Sequence, residues 1–277
     1  MTSLIEETQP YAKAIQAWRD QQEAELRAEN GWLSVVGLFW LHDGENAVGS
    51  DPDCEVVLPP RLPIRLATLK VSAGAVTLRV AVGAGPVRVG GQLVREAALS
   101  DDPLYPALIQ VEQMTFFVIR RGDRLAVRMC DAASEARQNF TGRIWFPADV
   151  AFRVAGRFEP HPSQRTLEVE TVIGTTIPVN NPGAVAFEFN GVPQRLEAFE
   201  GEAGELWFLF RDATSGHETY GAGRELYAPL GADGRVELDF NKAQNLPCVF
   251  TPYATCPMAP KANHLAIAVQ AGERLPG

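Results

Sequence analysis

The sequence predicts a mainly β protein: two fused antiparallel β-sandwich or barrel-like units with an N-terminal helix. Three observations carry that expectation. Short runs rich in Val, Ile, Leu and aromatic residues recur through most of the chain. Clusters of Gly, Pro, Asn and Asp separate those runs. Helical spacing of apolar residues is confined to the opening segment.

Taken in order, Ile5 to Glu29 reads as a helix. Tyr11, Ile15, Trp18, Gln22 and Leu26 return to one face, while Glu and Arg fill the other. Asn30-Gly31 is its stop, since glycine accepts the left-handed cap without steric cost. Trp32 to Leu41 is an apolar run too short to span a bilayer, and its aromatics are expected in the core. Strands follow at Cys54–Leu58, Leu66–Val71, Val76–Val82, Val87–Val89, Thr115–Arg120 and Leu125–Cys130, with Arg121-Gly122-Asp123 as a hairpin signal between the last two. Asp131 to Asp149 is less regular and reads as a connector, which gives domains 1–149 and 150–277. The second half again reads as strands, at Phe152–Phe158, Thr166–Val172, Ala184–Phe189, Gln194–Ala198, Glu205–Phe210, Glu218–Tyr220, Arg235–Phe240 and Leu265–Val269. Asn180-Asn181-Pro182-Gly183 and Asn190-Gly191 are turn signals.

A formal charge of -9, with no basic run carrying interleaved aromatics, argues against nucleic acid as a partner. The four cysteines, Cys54, Cys130, Cys248 and Cys256, are too scattered for a disulfide framework or a zinc knuckle. Reduced thiols, no basic-then-apolar leader and no apolar span make a cytoplasmic protein without membrane contact the expectation. The oligomeric state is not legible, and no pattern specifies a cofactor.

Chemistry-bearing residues gather late in the chain. One cluster runs from Arg211 through Asp212, Thr214, His217, Thr219 and Tyr220 to Arg224. A second is Asp239, Asn241 and Asn245. A third is Cys248, Thr251, Thr255 and Cys256, with Asn263, His264 and Glu273 behind it. The stretch from Asp239 to Glu273 is dense in Asn, Thr, Cys and Pro. Prolines stiffen such a loop, and its polar groups are costly to bury without partners. We therefore expect it to fold over the second β unit and wall a water-accessible cavity.

These blocks, in their order, resemble the signature of one family. They are Phe210-Arg211-Asp212-Ala213-Thr214, Thr219-Tyr220-Gly221-Ala222-Gly223-Arg224, Asp239-Phe240-Asn241, Pro247-Cys248-Val249-Phe250-Thr251, Thr255-Cys256-Pro257 and Ala271-Gly272-Glu273. Upstream, Gly31-Trp32-Leu33, Gly37-Leu38-Phe39-Trp40-Leu41, Arg128-Met129-Cys130-Asp131 and Phe146-Pro147 continue it. The family is the bacterial and archaeal one catalogued as domain of unknown function 1684, and Leu246 stands where it usually shows a second proline. The resemblance implies where a site lies and brings no activity with it. Separately, Gly44 to Pro59 and Val87-Arg88-Val89-Gly90-Gly91 resemble parts of a forkhead-associated domain, which implies a similar sandwich and a protein-interaction surface. Ser50 stands where that family carries its phosphothreonine-binding arginine, and no Ser-x-x-His turn follows Pro59.

The residues allow several chemistries. Arg128, beside Asp131, and Arg224, after a glycine-flanked turn, suit either a buried Arg–Asp pair or an anion clamp. Asp239 and Asn241 share one face of a strand, where they would position a water or hydroxyl, or else brace the following loop. Cys248 is a nucleophile only if a base or positive charge lowers its pKa. Asp239, His217, His264 and Glu273 are ligand types, but no His-x-His or His-x-x-x-His spacing assigns a metal. The leading expectation is a small polar or anionic ligand bound by Arg128, Asp212, Thr219, Tyr220, Arg224, Asn241, Asn245, Thr251, Cys256 and Glu273. The alternatives are a hydrolase using Asp239, Cys248 or His217, and a non-enzymatic interaction module.

Overall fold

The computed structural model describes residues 2–201 and 204–276. The chain divides into two compact units, Leu26–Phe140 and Met1–Glu25 with Thr141–Gly277. The sequence reading cut once near Asp149 and left the helix with the first half. In the structure the helix, α1 (Thr2–Leu26), clusters with the later residues.

In the unit Leu26–Phe140 the strands are β1 (Val35–Trp40), β2 (Gly44–Gly49), β3 (Val56–Val57), β4 (Ala67–Ser72), β5 (Ala75–Val80), β6 (Arg88–Val89), β7 (Gln92–Leu93), β8 (Glu96–Leu99), β9 (Ile109–Val111), β10 (Met114–Arg121) and β11 (Arg124–Asp131). They form a six-stranded sheet, β1-β11-β10-β9-β6-β7, and a five-stranded sheet, β3-β2-β4-β5-β8. Period-two alternation sends Leu69, Leu78 and Val48 of one sheet and Met114, Phe116 and Val127 of the other into a single apolar cluster, so the two sheets share one core. The β2–β3 pair is parallel, a departure from the all-antiparallel expectation. A five-residue helix, α2 (Glu135–Asn139), ends the unit, capped by the Ser134 side chain accepting from Arg137 N–H.

The second unit carries β12 (Arg153–Glu170), β13 (Thr176–Phe189), β14 (Val192–Glu200), β15 (Glu205–Phe210), β16 (Arg224–Pro229), β17 (Arg235–Asp239) and β18 (Gln244–Asn245). They make one seven-stranded sheet, β17-β12-β13-β14-β15-β16-β18, and it does not close into a barrel. Asn190-Gly191 makes the expected hairpin, with φ of 51° and 76°. Three expectations are corrected. Asn180 to Gly183 is not a turn but part of β13, where Asn181 Nδ2 donates to the Gly183 and Ala198 carbonyls and so satisfies its amide inside the sheet. Phe152–Phe158 and Thr166–Val172 belong largely to one long strand, β12, whose register breaks between Pro160 and Arg165. Glu218–Tyr220 and Leu265–Val269 are loop, because their backbone groups pair across loops rather than along a ladder.

The inner face of this sheet packs on Phe240, which is fully buried among Phe210 (ring centroids 5.4 Å apart), Phe187 (5.9 Å) and Phe189 (6.5 Å). Helix α1 buries Ile15 and sets Trp18 edge-on to Trp145 at 5.7 Å. Arg19 is on the buried face, not the outer one as the charge pattern implied. Its guanidinium lies 4.8 Å over Trp145 and donates to the Phe146 carbonyl at 3.1 Å. No helix among the described residues is long and apolar enough to cross a membrane.

Phe240→Ala would empty the centre of this aromatic cluster. Urea unfolding should show a loss of about 3–5 kcal/mol, the usual cost of a buried Phe-to-Ala truncation.

Candidate functional site

Arg224 begins β16 and is completely buried. A buried guanidinium needs an anion and acceptors in fixed places. Asp212 Oδ2 supplies the anion at 2.8 Å, and the Val269 carbonyl accepts at 2.9 Å. The Ala271 carbonyl accepts a further short hydrogen bond, and Phe210 packs its ring 5.3 Å below. Burial draws the guanidinium below its ordinary range, and the charge of Asp212 works against that. Asp212 Oδ1 in turn accepts from Thr214 N–H (2.8 Å), Thr214 Oγ1 (2.6 Å) and Val269 N–H (3.3 Å), while Thr219 Oγ1 sits 2.9 Å from Thr214 Oγ1. The resulting knot ties the 211–224 loop to the returning segment 265–273.

Glu273 closes the same segment from the other side. It is buried and pairs with Arg143 at 2.9 Å, and its carboxylate accepts from Asn245 N–H at 2.8 Å. Burial pushes its carboxyl up, against the charge of Arg143. Gly272, at φ 80°, permits the turn, because a Cβ there would strike the Ala243 and Phe240 carbonyl oxygens. Of the residues expected to wall a pocket, Asp212, Thr219, Arg224, Asn241, Asn245, Thr251, Cys256 and Glu273 are buried. The bonds just traced spend Asp212, Arg224 and Glu273 on stitching backbone to side chain. Arg128 lies in the other unit, on β11, with its guanidinium 4.5 Å over Trp32, and Asp131 pairs instead with Arg61 at 2.7 Å. His217 and His264 are exposed, and His264 Nε2 bonds the Ala259 carbonyl at 3.2 Å. Among the described residues no three His, Cys, Asp or Glu converge to hold a metal.

Two sets of largely buried groups border a cleft or a partly exposed turn. The first surrounds Asp239, which ends β17 and caps the turn Phe240–Lys242. Tyr11 of α1 donates its hydroxyl to Asp239 Oδ1 at 2.8 Å, and Asn241 reaches the same oxygen through its N–H (3.2 Å) and Nδ2 (3.1 Å). Asn241 also braces the chain at Asp149, accepting from its N–H and donating to its carbonyl. Burial and the adjoining carboxylate hold the Tyr11 hydroxyl well above its usual range, so it remains a donor. A cleft of about 630 Å³ opens here, lined by Tyr11, Ile15, Arg153, Glu237, Asp239 and Lys242 among others. Only Asp239 and Asn241 of this set carry a signal in the sequence. Tyr11 looks like a core helix residue, and its partner stands 228 positions away.

The second set is Cys248, Cys256 and Tyr220. Cys248 N–H donates to Cys256 Sγ at 3.3 Å. The Cys256 side chain, and then the Tyr220 hydroxyl, hydrogen-bond the Cys248 sulfur and draw its thiol down to about 7 against burial. The same bond, with burial, pushes the Cys256 thiol up. On the neighbouring strand Glu225 is pushed up to about 7 by burial, although Trp207 Nε1 and the Tyr227 hydroxyl each donate to it at 3.2 Å.

The fold and these contacts define a β-sheet protein closed by a buried Arg–Asp knot. A family model described as Protein of unknown function (DUF1684) matches residues 138–274, and the chain belongs to that family. Among solved structures, an uncharacterised protein from Haloarcula marismortui is 31% identical over 50% of this chain and 78% of its own, with a TM-score of 0.42. The FHA domain of FhaA, solved with the intracellular domain of Rv3910, is 19% identical over 33% of this chain and 96% of its own, TM-score 0.23. An FHA domain from a study of phosphothreonine-dependent interactions is 18% identical over 34% of this chain and 92% of its own, TM-score 0.23. No curated protein matches the sequence significantly. Ser50, where an FHA arginine would stand, donates its hydroxyl to the Leu62 carbonyl at 2.8 Å.

Removing one side of the knot strands a buried charge. Arg224→Ala and Asp212→Ala should each lower unfolding free energy by about 3–5 kcal/mol in urea titration, with the double variant costing less than their sum. Glu225 holds its proton in the folded protein at pH values where the unfolded chain has lost it, so its contribution to stability falls as pH rises from 4.5 to about 7. Glu225→Gln should flatten that slope in thermal melts across this window and raise the melting temperature above it.

Proposed function

We propose that this protein binds a small polar or anionic ligand in the cleft beside Asp239. The observation that carries this reading is the distribution of satisfied and unsatisfied acceptors on Asp239. Its Oδ1 takes donors from Tyr11 and Asn241, and Oδ2 makes no hydrogen bond among the described residues. A preorganised carboxylate with one oxygen in reserve suits a ligand hydroxyl or amine. At the rim, the charge of Arg153 is met by Glu237 at 2.7 Å, which leaves Lys242 to receive an anionic group. The cleft volume, about 630 Å³, matches that of small-molecule sites, and Ile15 and Tyr11 give it an apolar wall.

The hydrolase alternative draws less support. Oδ1 of Asp239 is already taken by donors from Tyr11 and Asn241, an arrangement that holds the carboxylate in place rather than freeing it for attack. Cys248 is hydrogen-bonded by a thiol and a phenol, not by an imidazole.

The reading is tested by thermal-shift titration of the full chain with short hydroxy acids and amino acids. A ligand at 100 times its Kd should stabilise the protein by about 2.7 kcal/mol. Asp239→Asn and, at the rim, Lys242→Ala should each weaken that shift at least tenfold in ligand concentration. A ligand whose shift survives both substitutions binds elsewhere and overturns the assignment.

A further inference from the structure

We propose that Cys248 and Cys256 form a peroxide-oxidisable dithiol, with Cys248 as the attacking thiolate and Cys256 as the resolving thiol. The geometry is asymmetric in the way such a pair requires. Cys248 is partly exposed at the 3-10 turn Pro247–Val249, whereas Cys256 is 6% exposed. The Cys256 sulfur already touches Cys248, taking its N–H at 3.3 Å. Joining the sulfurs therefore needs side-chain rotation more than loop displacement. The loop that carries them is anchored at both ends. Val249 and Phe250 N–H return to Leu246 and Pro247, and beyond Cys256 the Met258 N–H donates to the Glu170 carbonyl at 2.7 Å. Pro252 stiffens the span between the two thiols, and Pro247 fixes the backbone just before Cys248. Cys248 is the thiol drawn down to about 7, which makes it the thiolate of the pair near neutrality.

The chemistry balances with a hydroperoxide as the oxidant. The Cys248 thiolate attacks one peroxide oxygen. An S–O bond forms, the O–O bond breaks, and the departing hydroxide takes a proton to leave as water. The Cys256 sulfur then attacks the sulfenic sulfur of Cys248. The S–S bond forms, the S–O bond breaks, and the released hydroxide carries off the Cys256 proton as a second water. Two thiols lose two electrons in total, and one peroxide gains them. A dithiol reductant restores the pair by exchange. Tyr220, hydrogen-bonded to the Cys248 sulfur, is the proton-bearing group next to the first departing oxygen. Cys130 is buried on β11 with its thiol pushed up by burial, so it serves as the internal control; Cys54 accepts from Arg65 Nη1 at 3.0 Å and is left out of the comparison.

The test uses the full reduced chain and hydrogen peroxide. Cleavage at Lys242 and Lys261 places both thiols in one peptide, and a further cut after Phe250 or Tyr253 separates them. Oxidation should yield a peptide lacking two hydrogens. After the second cut its halves should stay joined until dithiothreitol is added. In Cys256→Ser, a sulfenic acid on Cys248 should be trapped by dimedone, and in Cys248→Ser, Cys256 should remain unoxidised at the same dose. With iodoacetamide at pH 7, Cys248 should react roughly tenfold faster than Cys130, as the opposite shifts of the two thiols demand. The proposal is overturned if the wild-type halves separate without reductant, if Cys256 oxidises equally fast in Cys248→Ser, or if Cys130 oxidises first. The oxidation of the two thiols depends on neither the Asp239 carboxylate nor a ligand in its cleft, so its failure leaves the ligand-binding reading standing.

Discussion

The later unit depends on one buried cation. Arg224 has no exposure to water, and a guanidinium in that position is tolerable only if anion and carbonyls meet it from several sides. Asp212 and the carbonyls of Val269 and Ala271 do so, and each comes from a segment with no ladder of its own. The ion therefore selects one path for the 211–224 loop and one for residues 265–273. Phe240, stacked among aromatics of β13 and β15, provides the apolar floor on which those paths lie.

That arrangement separates two uses of polar residues that look alike in sequence. Asp212, Arg224, Asn245 and Glu273 direct their hydrogen bonds to backbone, to one another and to Arg143, with Arg224 Nε and Asn245 Oδ1 left unpaired among the described residues. Asp239, itself buried, lines a cleft, and Cys248 is partly exposed. A dense polar segment can thus be mostly architecture and still hold chemistry where it meets a cleft or a partly exposed turn.

Local signals were legible where local physics decides. The buried stripe of α1 followed from helical spacing and the β13–β14 hairpin from Asn190-Gly191, whereas a buried Arg–Asp pair was one of two arrangements open for Arg224 and its partner Asp212 was not identified. Strand β8 (Glu96–Leu99) was missed because its Ala-rich run carries little β preference, and it forms by pairing with β5. Asn181 was misread because turn chemistry and an in-sheet amide use the same residue. Leu265–Val269 alternates like a strand, yet its N–H groups go to the Arg211 carbonyl and to Asp212 Oδ1. The Asp239 cleft was half legible, since a contact between Tyr11 and a residue 228 positions later leaves no local pattern.

The spacing of Arg224 from its acceptors orders events during synthesis. Residues 26–140 are continuous and can complete their core while the ribosome is still translating. The other unit cannot. Its guanidinium has no full set of acceptors until residue 271 has emerged, 47 positions later, and α1 must wait 228 positions for Asp239 before Tyr11 has its partner. The nascent chain thus carries α1 without its Asp239 partner while residues 26–140 are already able to close their own core.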